Sequence, residues 1–206
     1  MIAAFIILAY LIGSIPTSVW IGKRFYGIDV REFGSGNAGA TNTFRVLGRK
    51  AGVPVLIIDI LKGTAAVALS FLSPYVFESF EFINLQLTLG IAALVGHIFP
   101  VFAGFRGGKG VATILGIVVC ILPLTTSFSL IVFLIVLLSS RIVSLSSMIA
   151  GISFPIILNL VLHNDNRILA IFSVVVAVLL IITHRKNIKR LLNKQESKVS
   201  LFAVKK

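Results

Sequence analysis

The chain has 206 residues, of which 57% are hydrophobic and only 13% are charged, and its formal net charge is +12. A soluble domain of this length cannot bury so much apolar surface, so the composition excludes that class and predicts a membrane protein. The single cysteine, Cys120, excludes an intramolecular disulfide and a cysteine-rich metal centre. The positive charge does not indicate nucleic-acid binding, because the sequence contains no nucleic-acid-binding motif. In a membrane protein an excess of Lys and Arg instead indicates how the chain is oriented.

Six apolar segments follow one another along the chain: residues 2–22, 53–73, 83–102, 110–140, 143–162 and 167–184. The first precedes its flanking charges, the reverse of a cleaved signal peptide, so we interpret it as a retained helix. The fourth would extend roughly 46 Å as one helix, well beyond a hydrocarbon core of about 30 Å. Pro123 offers a break within it. We therefore predict an all-α polytopic membrane protein with seven transmembrane helices.

The distribution of basic residues supports this count. With a division at Pro123, all but two of the 19 Lys and Arg residues fall on one side of the membrane, the exceptions being Lys62 and Arg167. Basic loops stay cytoplasmic, so we predict an N-terminus outside, a cytoplasmic C-terminus and residence in the cell inner membrane. We expect residues 1–193 to form one seven-helix transmembrane domain and 194–206 a polar, basic tail.

A glycine-rich segment, residues 34–45, lies in the first basic loop. Its glycines permit positive backbone dihedrals and close backbone approach to an anion: Gly34, Gly36 and Gly39. Its small polar residues add hydrogen-bonding side chains: Ser35, Asn37, Thr41 and Asn42. Arg45 supplies a planar, fixed charge. This pattern favours phosphate binding; the alternative is an ordinary connector, because Gly and Asn are also common turn residues.

A second glycine segment precedes the fourth apolar run. Gly107 and Gly108 are followed by Lys109 at the start of a predicted helix, which indicates free peptide NH groups and a positive helix end facing an anion. The alternative is that Arg106 and Lys109 only enforce topology. His97, at the inner end of the preceding helix, could contact substrate or could bind a backbone carbonyl and fix the loop.

Two further polar groups lie in the C-terminal half. Ser144 and Ser147 share one helix face, from which both could contact substrate. The alternative is that one of them only caps the N-terminus of its helix. His184 and Asn187 also share a face, which we expect to point inward. The basic residues around them are typical of a helix end that binds lipid head groups: Arg185, Lys186, Lys189 and Arg190.

Asp59 and Lys62 lie within the second apolar segment, where an unpaired charge is costly. Their i, i+3 spacing predicts a structural ion pair that faces the helix bundle. We predict no metal site, and we interpret Asp29 and Glu32 as loop charges that offset Arg31.

These motifs resemble a known family, the bacterial acyl-phosphate-dependent glycerol-3-phosphate acyltransferases. The resemblance rests on GSGNAGATNTFRVLG at 34–48, residues 58–63, GHIFPVFAGFRGGKGVAT at 96–113, VSLSS at 143–147 and HRKNIKRLLNKQE at 184–196. It implies a seven-helix fold and transfer of a fatty acyl group from acyl phosphate to the 1-hydroxyl of glycerol 3-phosphate. The products would be lysophosphatidic acid and phosphate, in the first acylation of phospholipid synthesis. In agreement, no His in the sequence is followed five residues later by Asp, the dyad of other glycerolipid acyltransferases.

The resemblance also implies which residues and partners take part. Contacts with substrate would come from Ser35, Arg45, Lys109, Ser147, His184 and Asn187, with residues 36–42 cradling phosphate. We expect no cofactor and no acyl-CoA donor; the expected partners are both substrates, membrane lipid and the soluble enzyme that makes acyl phosphate. The proton acceptor stays open between His184 and a substrate phosphate. Lys194 stands where the family commonly has Gly, which leaves the role of Glu196 open.

Two other functions fit parts of the sequence. A transporter of an anionic phosphorylated solute would also use basic residues near a helix bundle, but only Asp59 and Lys62 occupy mid-membrane positions. A structural protein that docks on anionic lipid would explain the basic tail but not the glycine segments.

Overall fold

The computed structural model describes residues 1–199, and within that range it contains helices and no strand. The α-helices run in this order: α1 Ile2–Gly13, α2 Thr17–Tyr26, α3 Ala40–Leu47, α4 Arg49–Ala68, α5 Phe80–Ile98, α6 Val111–Ile121, α7 Pro123–Ser140, α8 Val143–Ile156, α9 Arg167–Thr183 and α10 Arg185–Leu192. The all-α prediction is confirmed for these residues. The last part of the predicted tail, 200–206, lies outside the described residues.

The chain divides into two compact units, and the first covers Met1–Leu122. In this unit α1 packs against α5, and α4 packs against α6. Glycines allow the second pair to approach closely: a Cβ on Gly63 would collide with the carbonyl oxygen of Thr113, and one on Gly116 with that of Ile60. Thr64 Oγ1 also donates to the Gly116 carbonyl at 3.1 Å across the same contact.

The second unit begins at Pro123. Here α7 packs against α8, and α8 packs against α9. After Pro155, α8 widens into a π-helical turn, Ile157–Val161. The chain beyond α10 returns to this unit, because the amide of Val199 donates to the Arg141 carbonyl at 2.8 Å.

Four helical stretches of the described chain are long and apolar enough to cross a membrane: Arg49–Leu72, Phe80–Ala103, Pro123–Ser140 and Val143–Val161. Two bent pairs raise the number to as many as six if each pair is one span. They are α1 with α2, bent by 41°, and α9 with α10, bent by 59°. These helices indicate a multi-pass membrane protein.

The predicted division of the fourth apolar segment occurs where the sequence places it. Helix α6 ends at Ile121 and α7 begins at Pro123. Proline suits a first helical position because its missing N–H would have no partner there in any case. Since α6 is a shorter apolar helix, the count of seven spans stays a prediction. The bends after α1 and α9 were not predicted.

Candidate functional site

The first glycine loop is shaped by one buried side chain, Asn42, which is 2% exposed. Its Oδ1 accepts hydrogen bonds from the backbone N and the Oγ of Ser35, at 2.8 and 3.0 Å. Its Nδ2 donates to the carbonyls of Val30 and Phe33, at 2.8 and 3.1 Å. Because each polar atom of the amide binds loop groups, Asn42 holds the loop in shape. From the sequence we predicted that the Asn42 side chain itself contacts phosphate.

The loop turns at two glycines in the left-handed region, Gly34 with φ 61° and Gly36 with φ 72°. A Cβ on Gly34 would in addition meet Asn42 Oδ1 at 2.5 Å, so the position requires glycine sterically as well. Gly39 is extended and caps α3, which carries Thr41 and Arg45 on its exposed surface. The predicted turn is therefore present up to Gly39, but residues 40–45, which the sequence predicted as loop, are helical and carry Arg45 on α3.

Arg31 joins the first loop to the second. Its Nε and Nη2 donate to the two carboxylate oxygens of Asp29 at 2.9 and 2.7 Å. Its Nη1 donates to the carbonyls of Ala103 and Arg106 at 2.7 and 3.2 Å. The hydrogen bond from this guanidinium holds the pKa of Asp29 well below its usual range. Asp29 does offset Arg31, as expected, but the link to residues 103–106 was missed.

The second glycine loop folds back on the end of α5. The amide of Gly107 donates to the Ile98 carbonyl at 3.1 Å, and that of Gly108 to the His97 carbonyl at 3.2 Å. The sequence predicted free amides here. Both amides instead donate to carbonyls at the end of α5, because the chain reverses so tightly after this helix. Half-buried Lys109 and the start of α6 follow directly.

A buried polar cluster lies beneath these loops. Asp59 Oδ1 is 2.9 Å from Lys62 Nζ and accepts from Thr17 Oγ1 at 3.2 Å. Lys62 Nζ also donates to the Ile15 carbonyl at 3.0 Å. The predicted ion pair is confirmed, since both side chains are buried and face the first unit's interior.

Both glycine segments and this cluster border one small cavity, with room for about one water molecule at 10 Å³. Its lining residues are Ile15, Pro16, Thr17, Ala38, Asp59, Lys62, His97, Pro100, Gly107 and Gly108. The loops also touch directly, because a Cβ on Gly108 would meet the Ala38 carbonyl oxygen at 3.0 Å. The first two predicted segments are therefore brought together in space.

In the second unit, polar side chains converge on Glu196. Its Oε1 accepts from Ser144 Oγ at 2.9 Å and from Asn187 Nδ2 at 2.6 Å, and its Oε2 accepts from Arg190 Nε at 2.7 Å. Burial alone would raise the pKa of Glu196, but these three donors outweigh it and lower the pKa. Ser144 is thus no N-cap, and Ile142 occupies that position of α8.

The backbone explains the departure at Lys194. This residue has φ 56°, in the left-handed region that favours glycine. The turn that glycine would make is therefore retained, and it returns the chain so that Glu196 reaches the α10 side chains. Sequence reasoning left Glu196 unassigned because nothing local indicates its partner Ser144, 52 residues away.

His184 and Asn187 are buried, as predicted from their shared face. His184 Nδ1 lies 2.7 Å from the Leu180 carbonyl oxygen. A carbonyl can only accept, so this contact assigns the proton to Nδ1 and leaves the lone pair of the neutral ring on Nε2. Ser147 Oγ donates to the Val143 carbonyl at 2.9 Å. Among residues 1–199, no group of three or more His, Cys, Asp or Glu side chains could hold a metal.

The chain is similar to proteins of one family over nearly its whole length. The profile described as glycerol-3-phosphate acyltransferase matches residues 3–194. A glycerol-3-phosphate acyltransferase of Chlorobaculum tepidum is 45% identical over 96% of each chain, and one of Listeria monocytogenes is 49% identical over 94% of each.

Solved structures agree with these relatives. The crystal structure of PlsY, an integral membrane glycerol 3-phosphate acyltransferase, in its glycerol 3-phosphate form is 39% identical with a TM-score of 0.84. The match covers 97% of this chain and 96% of that one. The lysophosphatidic acid form is 38% identical with a TM-score of 0.81, covering 97% and 95%.

Proposed function

The chain belongs to the glycerol-3-phosphate acyltransferase family, and we propose that it transfers a fatty acyl group from acyl phosphate to the 1-hydroxyl of glycerol 3-phosphate. The products are lysophosphatidic acid and phosphate. The observation that carries the proposal is the contact between the two glycine loops of the first unit. Arg45 follows the first loop on α3, and Lys109 follows the glycines of the second. Both proposed substrates carry phosphate, and each requires charge neutralisation before the two can meet.

The reaction needs no covalent enzyme intermediate. Acyl phosphate is a mixed anhydride with a good leaving group, so the glycerol hydroxyl can attack its carbonyl carbon directly. The new ester bond forms between that oxygen and the carbonyl carbon, the bond from this carbon to the phosphate oxygen breaks, and phosphate leaves. The hydroxyl proton passes to a base.

In the first unit, Lys109 and Arg45 stabilise the negative charge that develops on the carbonyl oxygen and the leaving phosphate. Residues 36–42 form the phosphate cradle. Ser35, Asn37 and Thr41 contribute hydrogen-bonding groups, and Gly34, Gly36 and Gly39 set the backbone. Asn42, Gly107, Gly108 and His97 support the site by holding the two loops in shape.

In the second unit, His184 is the general base, because the contact of Nδ1 with Leu180 leaves the basic lone pair on Nε2. Asn187 and Ser144 are oriented by Glu196, and Ser147 contributes a hydroxyl on the same face of α8. A phosphate oxygen of glycerol 3-phosphate is the other acceptor that the chemistry permits.

We propose seven spans: the four long stretches, the two bent pairs and α6. In this proposal the basic loops and the site lie at the cytoplasmic face of the cell inner membrane and the N-terminus lies outside, because basic loops stay cytoplasmic. A soluble phosphate reaches this face from the cytosol, and an acyl chain reaches it from the bilayer. The soluble enzyme that makes acyl phosphate is the natural partner on that side. Residues 1–193 form the catalytic domain in this proposal.

The assay uses the purified chain in detergent with labelled glycerol 3-phosphate and, in parallel, acyl phosphate or the acyl-CoA of equal chain length. We expect labelled lysophosphatidic acid with acyl phosphate only. If lysophosphatidic acid formed from acyl-CoA and not from acyl phosphate, the proposed acyl donor would be wrong. If neither donor gave product, the proposed activity would be wrong. Uptake of labelled glycerol 3-phosphate by sealed vesicles, without product, would support the transporter.

The topology has its own test. In a Cys120→Ser background, Leu124→Cys, whose native side chain is 59% exposed, should react with an impermeant thiol reagent from outside. Thr41→Cys, on the exposed side of α3, should react only after the membrane is opened. Labelling of Leu124→Cys from inside alone would contradict seven spans.

A further inference from the structure

His97 is a buried residue with an unsatisfied polar atom. The side chain is 5% exposed, and its Nδ1 has no hydrogen-bond partner among the residues that the structure describes. A buried nitrogen left in this way destabilises the folded protein unless a group or a water binds it. The atom therefore requires an explanation that the loop contacts do not supply.

The nearest charged group is the Asp59 carboxylate. Its Oδ1 lies 3.9 Å from His97 Nδ1, which is too far for a direct hydrogen bond. Both side chains line the cavity beneath the glycine loops, which has room for about one water molecule at 10 Å³. A water there can accept from Nδ1 and donate to Asp59, and it would satisfy the buried nitrogen.

His97 in turn is tied to the second glycine loop at two points. Its carbonyl accepts the amide of Gly108 at 3.2 Å. Its ring occupies the space that a Cβ on Gly108 would enter, since that atom would collide with Nε2. The ring is therefore packed directly against Gly108, and Lys109 is the next residue.

We propose that Asp59 is a positioning residue for the phosphate site: through one water it fixes the ring of His97, which fixes Gly108 and so the direction of Lys109. Lys62 balances the charge of Asp59 and ties the pair to the Ile15 carbonyl. This proposal rests on the proposed role of Lys109 in binding substrate phosphate. It gives the buried cluster a purpose beyond helix packing.

The test separates positioning from folding by removing both charges at once. Asp59→Asn alone would leave Lys62 buried and unpaired, whereas Asp59→Asn with Lys62→Met leaves no buried charge and should fold. We expect the double variant to keep its kcat within about twofold and to raise the KM for glycerol 3-phosphate about tenfold. Ser70→Ala is the control, because Ser70 Oγ is equally buried without a partner but lies far along the chain from either loop. It should keep the wild-type KM.

The route through His97 is tested by non-additivity. His97→Phe keeps a ring beside Gly108 but removes Nδ1, and it should raise the KM about as much as the double variant. Combining His97→Phe with the double variant should raise the KM no further, because the double variant and His97→Phe break the same link between Asp59 and Gly108. A folded double variant with wild-type KM, or fully additive effects, would overturn the proposal.

A readout without acyl transfer distinguishes this proposal from the proposed function. Inorganic phosphate should raise the unfolding temperature of the wild type, and it should do so less in the double variant at equal phosphate concentration. If the wild type makes no lysophosphatidic acid, the proposed activity fails, yet a phosphate response lost in the double variant still supports the positioning role. An equal response in both would overturn that role.

Discussion

The two units build their polar regions in different ways. In the first unit, the loops are shaped by side chains that bind backbone groups, with Asn42 and Arg31 as the main examples. In the second unit, side chains converge on a single carboxylate, Glu196. The first region therefore depends on backbone shape and the second on one charge. Substitutions should expose this difference.

The largest effect is expected at Lys109, the charged residue that follows the glycines of the second loop. Lys109→Met should lower kcat/KM about 1,000-fold, because a charge that stabilises the transition state is lost. Steady-state rates with both substrates measure this. Lys50→Met, at an exposed lysine near the start of α4, should stay within about twofold. Comparable losses in both variants would mean that only the net positive charge of this face matters.

The next effect tests His184 of the second unit as the proposed general base. His184→Ala should lower kcat about 100-fold while leaving the KM for glycerol 3-phosphate nearly unchanged, since general-base catalysis contributes at least that much. We expect less than for Lys109 because a substrate phosphate can partly replace the base. His163→Ala, at an exposed histidine of the same unit, should have no effect on turnover. Near-normal turnover of His184→Ala with a raised KM would make His184 a binding residue.

Asn42 tests whether the shape of the first loop matters apart from its charges. Asn42→Ala removes the side-chain atoms that bind Ser35, Val30 and Phe33, so it should destabilise the protein by about 1–3 kcal/mol and raise the KM for glycerol 3-phosphate. Asn42→Asp keeps the oxygen that accepts from Ser35 but loses the hydrogen bonds to the Val30 and Phe33 carbonyls. Its stability and KM should lie between those of the wild type and Asn42→Ala. Thermal unfolding in detergent together with KM measures both effects. The control is Asn84→Ala on α5, which should match the wild type in unfolding temperature and KM. A wild-type KM for Asn42→Ala would mean that the shape of the first loop does not affect substrate binding.

The smallest effect is a pH dependence in the second unit. The folded-state pKa of Glu196 is lower than its usual 4.5, so its contribution to stability is fully present above that pH. It is lost as the pH falls through the lower, folded-state pKa. The unfolding temperature of Glu196→Gln should therefore fall less than that of the wild type on acidification below pH 4.5. Glu81→Gln, at an exposed glutamate, should follow the wild-type curve.

Local sequence patterns predicted much of this structure. The helix start at Pro123, the Asp59 and Lys62 pair and the inward face of His184 and Asn187 depend on residues close together in the chain. Glycine composition also located both loops. Patterns of this range could not show that the amides of Gly107 and Gly108 donate to carbonyls at the end of α5.

The missed features join distant parts of the chain. Arg31 reaches Ala103 across 72 positions, and Ser144 reaches Glu196 across 52. No periodicity links such residues, because the contact exists only once the helices have packed. The seven-span count and the substrate contacts of the individual site residues stay predictions.

The central claim is direct acyl transfer between two substrates that are bound together, and a matrix of initial rates tests it most directly. Acyl phosphate and glycerol 3-phosphate are each varied at several fixed concentrations of the other. We predict double-reciprocal lines that intersect, because both phosphates must be bound before attack. Parallel lines would contradict the account, because they are the pattern of a reaction in which phosphate leaves first and an acyl-enzyme intermediate remains to react with glycerol 3-phosphate.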